Sequence, residues 1–312
     1  MKLALILNRD AGTLRGTDAD AAAEEIATIF REAGHSISVT LSAGGDAIAA
    51  IERAAKDKAN DAIVAGGGDG TISAAAAIAA ETGMTLGVLP LGTMNFFARS
   101  LGIPLAVKDA AAALADATVA PVDIAKINGR TFVHSVALGL HPTMVEEREK
   151  LTYGSRYGKM LGSAWAFLRV VRDARRFFVS ISTDDEKIDI RTAGLVVSNN
   201  PLGKGHLPYA DRLDLGLLGV YVTTARTWRE LMRVIAAAAI GRVAESPLVD
   251  YQATGTAHIS VGRYRPVVPV TIDGELVRMR GPLAVDIVKG GLKVLKPAAS
   301  SGAADADGSS SS

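Results

Sequence analysis

Three polar loops carrying glycine hold the residues best suited to chemistry: Asn8-Arg9-Asp10-Ala11-Gly12-Thr13, Gly66-Gly67-Gly68-Asp69-Gly70-Thr71 and Pro90-Leu91-Gly92-Thr93-Met94-Asn95-Phe96-Phe97-Ala98. Glycine lets a backbone approach a phosphate closely, and a helix that starts directly afterwards adds oriented N–H groups and a partial positive charge. The second loop follows the apolar run Asp61–Ala65 and opens an Ala-rich helical stretch, so it reads as a phosphate cradle. A tight strand-to-helix turn with an aspartate cap would use the same residues. Neither GxxxxGK[ST] nor GxGxxG occurs, which removes the Walker-type loop and the dinucleotide fingerprint. Far downstream, Asp273-Gly274-Glu275 supplies two carboxylates at i, i+2 that could accept a hydroxyl proton. On one strand they would share a face, whereas Gly274 suggests a turn or bulge, and an ordinary hairpin turn would read the same way. The five histidines show no HExxH or HxH spacing, so a zinc hydrolase has no support, and His206 reads as part of a solvated loop.

The elements around these loops alternate in the first half. Strand-like runs at Leu3–Asn8, Ser36–Ser42, Asp61–Ala65 and Thr85–Leu89 are separated by helical patterns at Asp18–Ala33, Asp46–Asp57 and Thr71–Glu81, which predicts parallel βαβ units. Ala22, Ile26, Ile29 and Ala33 recur at helical spacing behind an N-cap at Thr17 or Asp18. Ligands of open α/β sheets bind outside the carboxyl ends of the strands, so three loops at three strand ends can converge on one nucleotide. In the second half strands dominate, at Phe132–Leu138, Ala193–Ser198, Leu217–Thr224, His258–Gly262, Val267–Asp273 and Leu283–Val288, as in an antiparallel β domain. The expected division is an α/β nucleotide-binding domain over 1–121, a β-sandwich domain over 122–297 and a disordered Ser/Gly/Ala/Asp tail over 298–312.

Composition narrows the function classes. A chain of 312 residues favours two domains. The absence of cysteine removes disulfides, thiolate zinc sites and a cysteine nucleophile. With 34 basic and 33 acidic side chains, the net charge of +1 argues against a nucleic-acid partner. The N-terminal apolar run is too short for a signal peptide, and no stretch reaches the roughly 20 apolar residues of a membrane span. A cytoplasmic location, peripheral on the inner face of a membrane, is expected.

Asn8 with Gly12, the Gly67–Thr71 motif, Pro90–Ala98 and the distal Asp273–Glu275 together resemble the diacylglycerol kinase catalytic-domain family, which includes bacterial lipid kinases, sphingosine kinases and ceramide kinases. The resemblance spans roughly residues 1 to 296 and implies an N-terminal α/β domain that binds ATP and a C-terminal β-sandwich that helps form a lipid cleft. It further implies Mg2+- and ATP-dependent phosphorylation of a lipid hydroxyl, with diacylglycerol or a sphingoid lipid such as ceramide as acceptor. Asn8, Gly12, Thr13, Thr40, Gly66, Gly67, Gly68, Asp69, Gly70, Thr71, Gly92, Thr93 and Asn95 match nucleotide-contacting positions. Glu275 matches the general base, with Asp273 and Asp69 beside it in the catalytic set. The chain departs from the pattern at Met94 and Phe96, where the family usually has Gly and Asp, and at Arg9 and Ala11, where Pro and Ser are common. Relatives also tend to carry Asp directly before Gly216 in a magnesium-binding turn; here Leu215 stands there and Asp214 is shifted by one, which makes Asp214 the metal candidate.

Between Arg148 and Phe178 lie Arg148, Lys150, Arg156, Lys159, Arg169, Arg172, Arg175 and Arg176, interleaved with aromatic and aliphatic residues. Leu161, Trp165 and Leu168 fall on one helical face, the pattern of a segment resting on an anionic membrane, or of an amphipathic helix packed on the domain. The Leu231, Met232 and Ile235 stripe of Trp228–Val243 reads as core. Two alternatives to the lipid kinase stay open. One is an NAD-kinase-like small-molecule kinase, although no Gly-Ser-Thr-Ala-Tyr segment is present; the other is a non-catalytic nucleotide- or lipid-binding relative.

Overall fold

A computed structural model describes residues 1–16, 18–149, 167–262 and 267–298. The candidate cap Thr17, the tail 299–312 and most of the basic, aromatic stretch, including Leu161 and Trp165, lie outside the described residues.

The first half alternates as its periodicity requires: β1 (Lys2–Asn8), α1 (Ala19–Glu32), β2 (Ser36–Ser42), α2 (Gly44–Lys56), β3 (Ala62–Gly67), α3 (Asp69–Thr82) and β4 (Thr85–Pro90), then α4 (Phe96–Ser100) and α5 (Val107–Ala115). These four strands are parallel in the order β2-β1-β3-β4, with Leu5 opposite Val39 and Val64. Every residue of β3 and β4 is buried, because helices cover both faces of the sheet; this is why they read as unbroken apolar runs. Asp18 caps α1 by accepting from Ala21 N at 3.1 Å.

The second half contains β5 (Thr118–Ile127), β6 (Arg130–Phe132), β7 (Ser135–Gly139), α6 (Leu140–Glu149), a helical segment at 167–172, β8 (Phe177–Thr183), β9 (Lys187–Thr192), β10 (Gly194–Asn199), β11 (Leu218–Thr223), α7 (Trp228–Ala239), β12 (Val249–Thr254), β13 (Thr256–Val261), β14 (Val267–Ile272), β15 (Glu275–Arg280) and β16 (Leu283–Lys296). One antiparallel sheet runs β12-β11-β10-β7-β14-β15. It packs against β5, β8, β13 and β16 around Phe132, Leu138, Val197, Val220, Ile259, Val270 and Val285, which makes a β-sandwich.

The sequence pattern predicts a strand only as far as Val288, but β16 continues to Lys296 because Gly290 (φ 58°) and Gly291 absorb a bulge between Val288 and Leu292. The extension matters. β16 pairs antiparallel with β13 and β5, and its far end pairs parallel with β4 at Val294↔Leu86. Leu292, Val294 and Leu295 therefore join the α/β core, and one ten-stranded sheet runs through both halves. The expected boundary at 121/122 falls inside β5.

Candidate active site

The three glycine-bearing loops meet at the carboxyl ends of β1, β3 and β4. Asn8 Nδ2 donates to Thr71 Oγ1 at 3.1 Å, and its Oδ1 accepts from Asp10 N at 3.0 Å. Thr13 donates to Leu91 O through its backbone N and its Oγ1, both at 3.1 Å, while Leu91 N donates to Gly67 O at 3.0 Å. The glycines are steric requirements here: a Cβ on Gly92 would lie 2.7 Å from Gly68 Cα, and one on Gly67 would lie 2.5 Å from Thr71 Cβ. Helix α3 starts at Asp69 without a side-chain cap, and its first internal bond is Ile72 N to Gly68 O at 3.0 Å. The backbone N–H groups of Asp69, Gly70 and Thr71 are thus left pointing out of the helix N-terminus, as an anion cradle requires. Thr40 is exposed on the edge strand β2 opposite Ile6, and Thr93 is exposed on the third loop. Neither side chain is held by a hydrogen bond among the described residues.

Asp69 and Asp273 organise the rest of the site. The Asp69 carboxylate caps the third loop, accepting from Asn95 N (3.0 Å) and Phe96 N (2.8 Å) at the start of α4. Asn95, buried and at positive φ (52°), closes that loop through Gly92 N (3.0 Å) and Gly92 O (2.9 Å). Asp273 and Gly274 both have positive φ, 48° and 87°, and Ile272 pairs with Glu275, so they form a two-residue primed turn between β14 and β15. That turn sends the two carboxylates to different partners. Asp273 accepts from Val133 N (3.0 Å), His134 N (2.9 Å), Ser135 N (3.0 Å) and Ser73 Oγ (2.5 Å), tying α3 to the β-sandwich. Glu275 pairs with Arg130 at 2.6 Å on an exposed edge. Ser73, Arg130 and His134 did not stand out in the sequence, since their partners lie between 139 and 200 residues away.

Beside these carboxylates the His134 ring stacks on Phe96, with centroids 4.3 Å apart and an interplanar angle of 11°. Burial holds the His134 imidazole below its ordinary pKa, against the opposing pull of Asp273 and Asp69. His206 lies in the partly exposed loop expected, and its side chain is held there by partners. Its Nε2 lies 2.6 Å from Asp211 Oδ1, its Nδ1 2.7 Å from Leu207 O, and its ring stacks on Tyr209 at 3.9 Å.

The Gly216 turn does not fit a structural magnesium ion. Asp214 is gripped by Arg212 (Nε to Oδ1 2.9 Å, a second nitrogen to Oδ2 3.1 Å), and that bond holds its carboxyl below the usual carboxylate range. Gly216 N donates to buried Asp123 at 2.7 Å, and the Lys289 side chain packs over Gly216. Among the described residues no three His, Asp or Glu side chains cluster as a metal cage. A structural ion at a hundred times its Kd would add about 2.7 kcal/mol, a shift of several degrees. Melting curves with millimolar Mg2+ and with excess EDTA are therefore expected to coincide, and a clear rise with Mg2+ would restore the metal turn.

A cavity of about 1290 Å3 opens in the second half, with Leu138, Leu140, Phe177 and Val268 among its apolar walls and Arg172, Arg175, Arg176 and Trp228 also lining it. Leu168 and Trp228 are exposed, whereas Leu231 of α7 is buried and Met232 and Ile235 pack against it, so the stripe on α7 does form a small core. No helix among the described residues is long and apolar enough to cross a membrane.

Known proteins match both the sequence and the fold. Residues 2–127 match the model of the diacylglycerol kinase catalytic domain. A Pseudomonas aeruginosa protein named "Probable lipid kinase YegS-like" is 36% identical over 202 residues, 62% of this chain and 64% of that protein. A Klebsiella pneumoniae protein of the same name is 41% identical over 135 residues, 41% of this chain and 44% of its own, so the chain spans less than two thirds of either relative. The diacylglycerol kinase of Bacillus subtilis is 28% identical over 257 residues, 79% of this chain and 81% of that one. A crystal structure of a diacylglycerol kinase from Bacillus anthracis shares the fold, with a TM-score of 0.72 at 23% identity over 95% of this chain and 96% of that chain. On its glycine-loop motifs and these matches, residues 2–127 are similar to the diacylglycerol kinase catalytic domain, and the chain is similar to proteins named as lipid kinases.

Proposed function

We propose that the protein is an ATP-dependent lipid kinase that phosphorylates the hydroxyl of diacylglycerol or of a sphingoid lipid such as ceramide. The observation that carries this reading is the placement of an anion cradle and an apolar, arginine-bearing cavity along one strand of the sandwich. Ser135, at the start of β7, donates to Asp273 beside the cradle, and Leu138 and Gly139, at its other end, line the cavity. The two ends are roughly 13 Å apart at the usual rise per residue of a strand, a distance that one lipid molecule spans.

In this reading the phosphates of ATP lie on the free N–H groups at the start of α3 and against the Gly67–Gly92 contact. Asn8 and Thr13 keep the three loops in register. Phosphoryl transfer asks a protein mainly to position phosphates and the acceptor and to neutralise charge. Mg2+ enters with the triphosphate as part of the substrate and supplies that neutralisation. The arginines at the cavity suit an anionic membrane surface, and exposed Leu168 and Trp228 suit shallow insertion beside them.

The test is to incubate the protein with labelled ATP, Mg2+ and mixed micelles carrying diacylglycerol, ceramide or sphingosine, with NAD as a parallel acceptor. Label is expected in one lipid and not in NAD. Activity should rise with anionic lipid and fall with salt, and neutralising Arg172, Arg175 and Arg176 should weaken micelle binding by roughly 1 kcal/mol per charge. Transfer to NAD alone, or ATP binding without transfer to any acceptor, would overturn the reading.

A further inference from the structure

Glu275 opens the edge strand β15, and its backbone is fixed by the pairing with Ile272 and by the hydrogen bonds that Asp273 accepts two residues earlier. Its side chain is a different matter. It is 68% exposed, and a solvated glutamate samples many rotamers unless a partner holds it. The described residues supply one such partner. Arg130 Nη2 donates to Glu275 Oε2 at 2.6 Å, while Oε1 is hydrogen-bonded to no described residue.

Arg130 is itself built into a frame. It opens β6 directly after Asn128 and Gly129, whose positive φ (47° and 83°) folds β6 back on β5 with Ile127 opposite Arg130. Asn128 ties the tip of this hairpin to the connection between β15 and β16: its Nδ2 donates to Arg280 O (3.2 Å) and Pro282 O (3.3 Å), and its Oδ1 accepts from Ala284 N (2.7 Å). Just beyond β6, the N–H groups of Val133, His134 and Ser135 are bonded to Asp273. The arginine therefore extends from a backbone clamped on both sides, and β6 also lies against α3, which carries the anion cradle. Such a frame contributes little through the ion pair itself. With side chains 44% and 68% exposed, water screens the charges and two long side chains lose freedom, so the pair adds little to stability. What it does fix is the direction in which the second carboxylate oxygen points.

We infer that Arg130 is a positioning residue for phosphoryl transfer, which holds Glu275 by one oxygen so that the other is presented to the acceptor hydroxyl. The inference rests on the kinase reading above, with Glu275 as the proton acceptor that the resemblance implies. As the hydroxyl oxygen forms its bond to the γ-phosphorus, the O–H bond breaks and the proton moves to Glu275 Oε1. The bond from the γ-phosphorus to the β,γ-bridging oxygen breaks with its electron pair, which leaves on ADP, and the carboxyl group then returns its proton to water. Arg130 touches none of the reacting atoms in this scheme and acts only through Glu275.

The test compares Arg130→Ala, Arg130→Lys, Glu275→Gln and the double variant as full-length proteins, with labelled ATP and mixed micelles of the lipid that takes label from the wild type. Arg130→Ala is expected to lower kcat on the order of 10-fold or more, as loss of orientation does, with the KM for ATP unchanged. Arg130→Lys should recover part of the loss, because a point charge still attracts the carboxylate without the planar fork that orients it. In the Glu275→Gln background, Arg130→Ala should cost no more than about 2-fold, since a residue that acts through its partner has nothing left to act on. An unchanged kcat in Arg130→Ala, a raised KM for ATP, or an undiminished loss in the Glu275→Gln background would overturn the assignment. Carbon-13 NMR of protein labelled at the glutamate carboxyl reads the pair without turnover. The Glu275 resonance, identified by its loss in Glu275→Gln, should move more in Arg130→Ala than in Arg130→Lys, and an unmoved resonance would show that the pair does not hold the carboxylate. Absence of lipid phosphorylation by the wild type, with that resonance moving as expected, counts instead against the kinase reading.

Discussion

Asp273→Ala is expected to lower the unfolding free energy by about 4 kcal/mol or more, because it orphans three backbone N–H groups at roughly 1 kcal/mol or above each and puts alanine where φ is 48°. Alanine in the left-handed region costs a further 1 to 2 kcal/mol, roughly. Total stabilities of about 5–15 kcal/mol leave little after such a loss. Asp273→Asn tolerates the same φ and keeps Oδ1 as acceptor for His134 and Ser135, but it turns an NH2 toward Val133 N and Ser73. It should cost roughly half as much by the same per-bond values. Ser73→Ala removes one partner and should cost about 1 kcal/mol. Denaturant midpoints at constant m-value give the ranking Ala, then Asn, then Ser73→Ala. Asp273→Ala within about 1 kcal/mol of wild type would show that the sandwich and α3 are not joined through this carboxylate.

That role could not be read from the chain, and the reason is instructive. Asp-Gly announces a two-residue turn by local chemistry alone, since both residues tolerate positive φ. What the aspartate does in that turn depends on N–H groups 138 to 140 residues away and on a hydroxyl 200 residues away. The loops at Asn8, Gly67 and Gly92 were legible for the opposite reason. Each sits between an unbroken apolar strand and a helix start, so its position at a strand end follows from the pattern around it.

Two of the strands absent from the sequence pattern are ones in which charge interrupts the alternation. Lys187–Thr192 and Glu275–Arg280 both form ladders with one face toward water, so their Lys, Asp, Arg and Glu side chains hide them from a search for apolar runs. The Gly290-Gly291 pair hides the far half of β16 in the sequence, because glycine marks both chain turns and bulges. Only the pairing of Val294 with Leu86 shows that the strand goes on to close the α/β sheet.

Asp69→Ala is expected to remove turnover by roughly 100- to 1000-fold, through loss of positioning as much as through loss of charge. In the kinase reading the phosphates lie between the start of α3 and the third loop, and the Asp69 carboxylate is what holds that loop, at Asn95 N and Phe96 N. Release of the loop frees Gly92 from its contact with Gly68 and lets Phe96 leave the His134 ring, so the two loops that would hold the donor phosphate lose their mutual geometry. Two hydrogen bonds to a charged acceptor are worth roughly 1.5–3 kcal/mol each, so the variant should also unfold at visibly lower denaturant. Asp69→Asn retains an oxygen for one of the two N–H groups and turns an NH2 toward the other, which places it between wild type and Ala in both measurements. Turnover and unfolding midpoint should fall in step across the three proteins. If Asp69→Ala lost activity with its midpoint unchanged, the carboxylate would act by chemistry and not by holding the loop, and if it kept near-normal turnover, the cleft assigned here would not be the site of phosphoryl transfer.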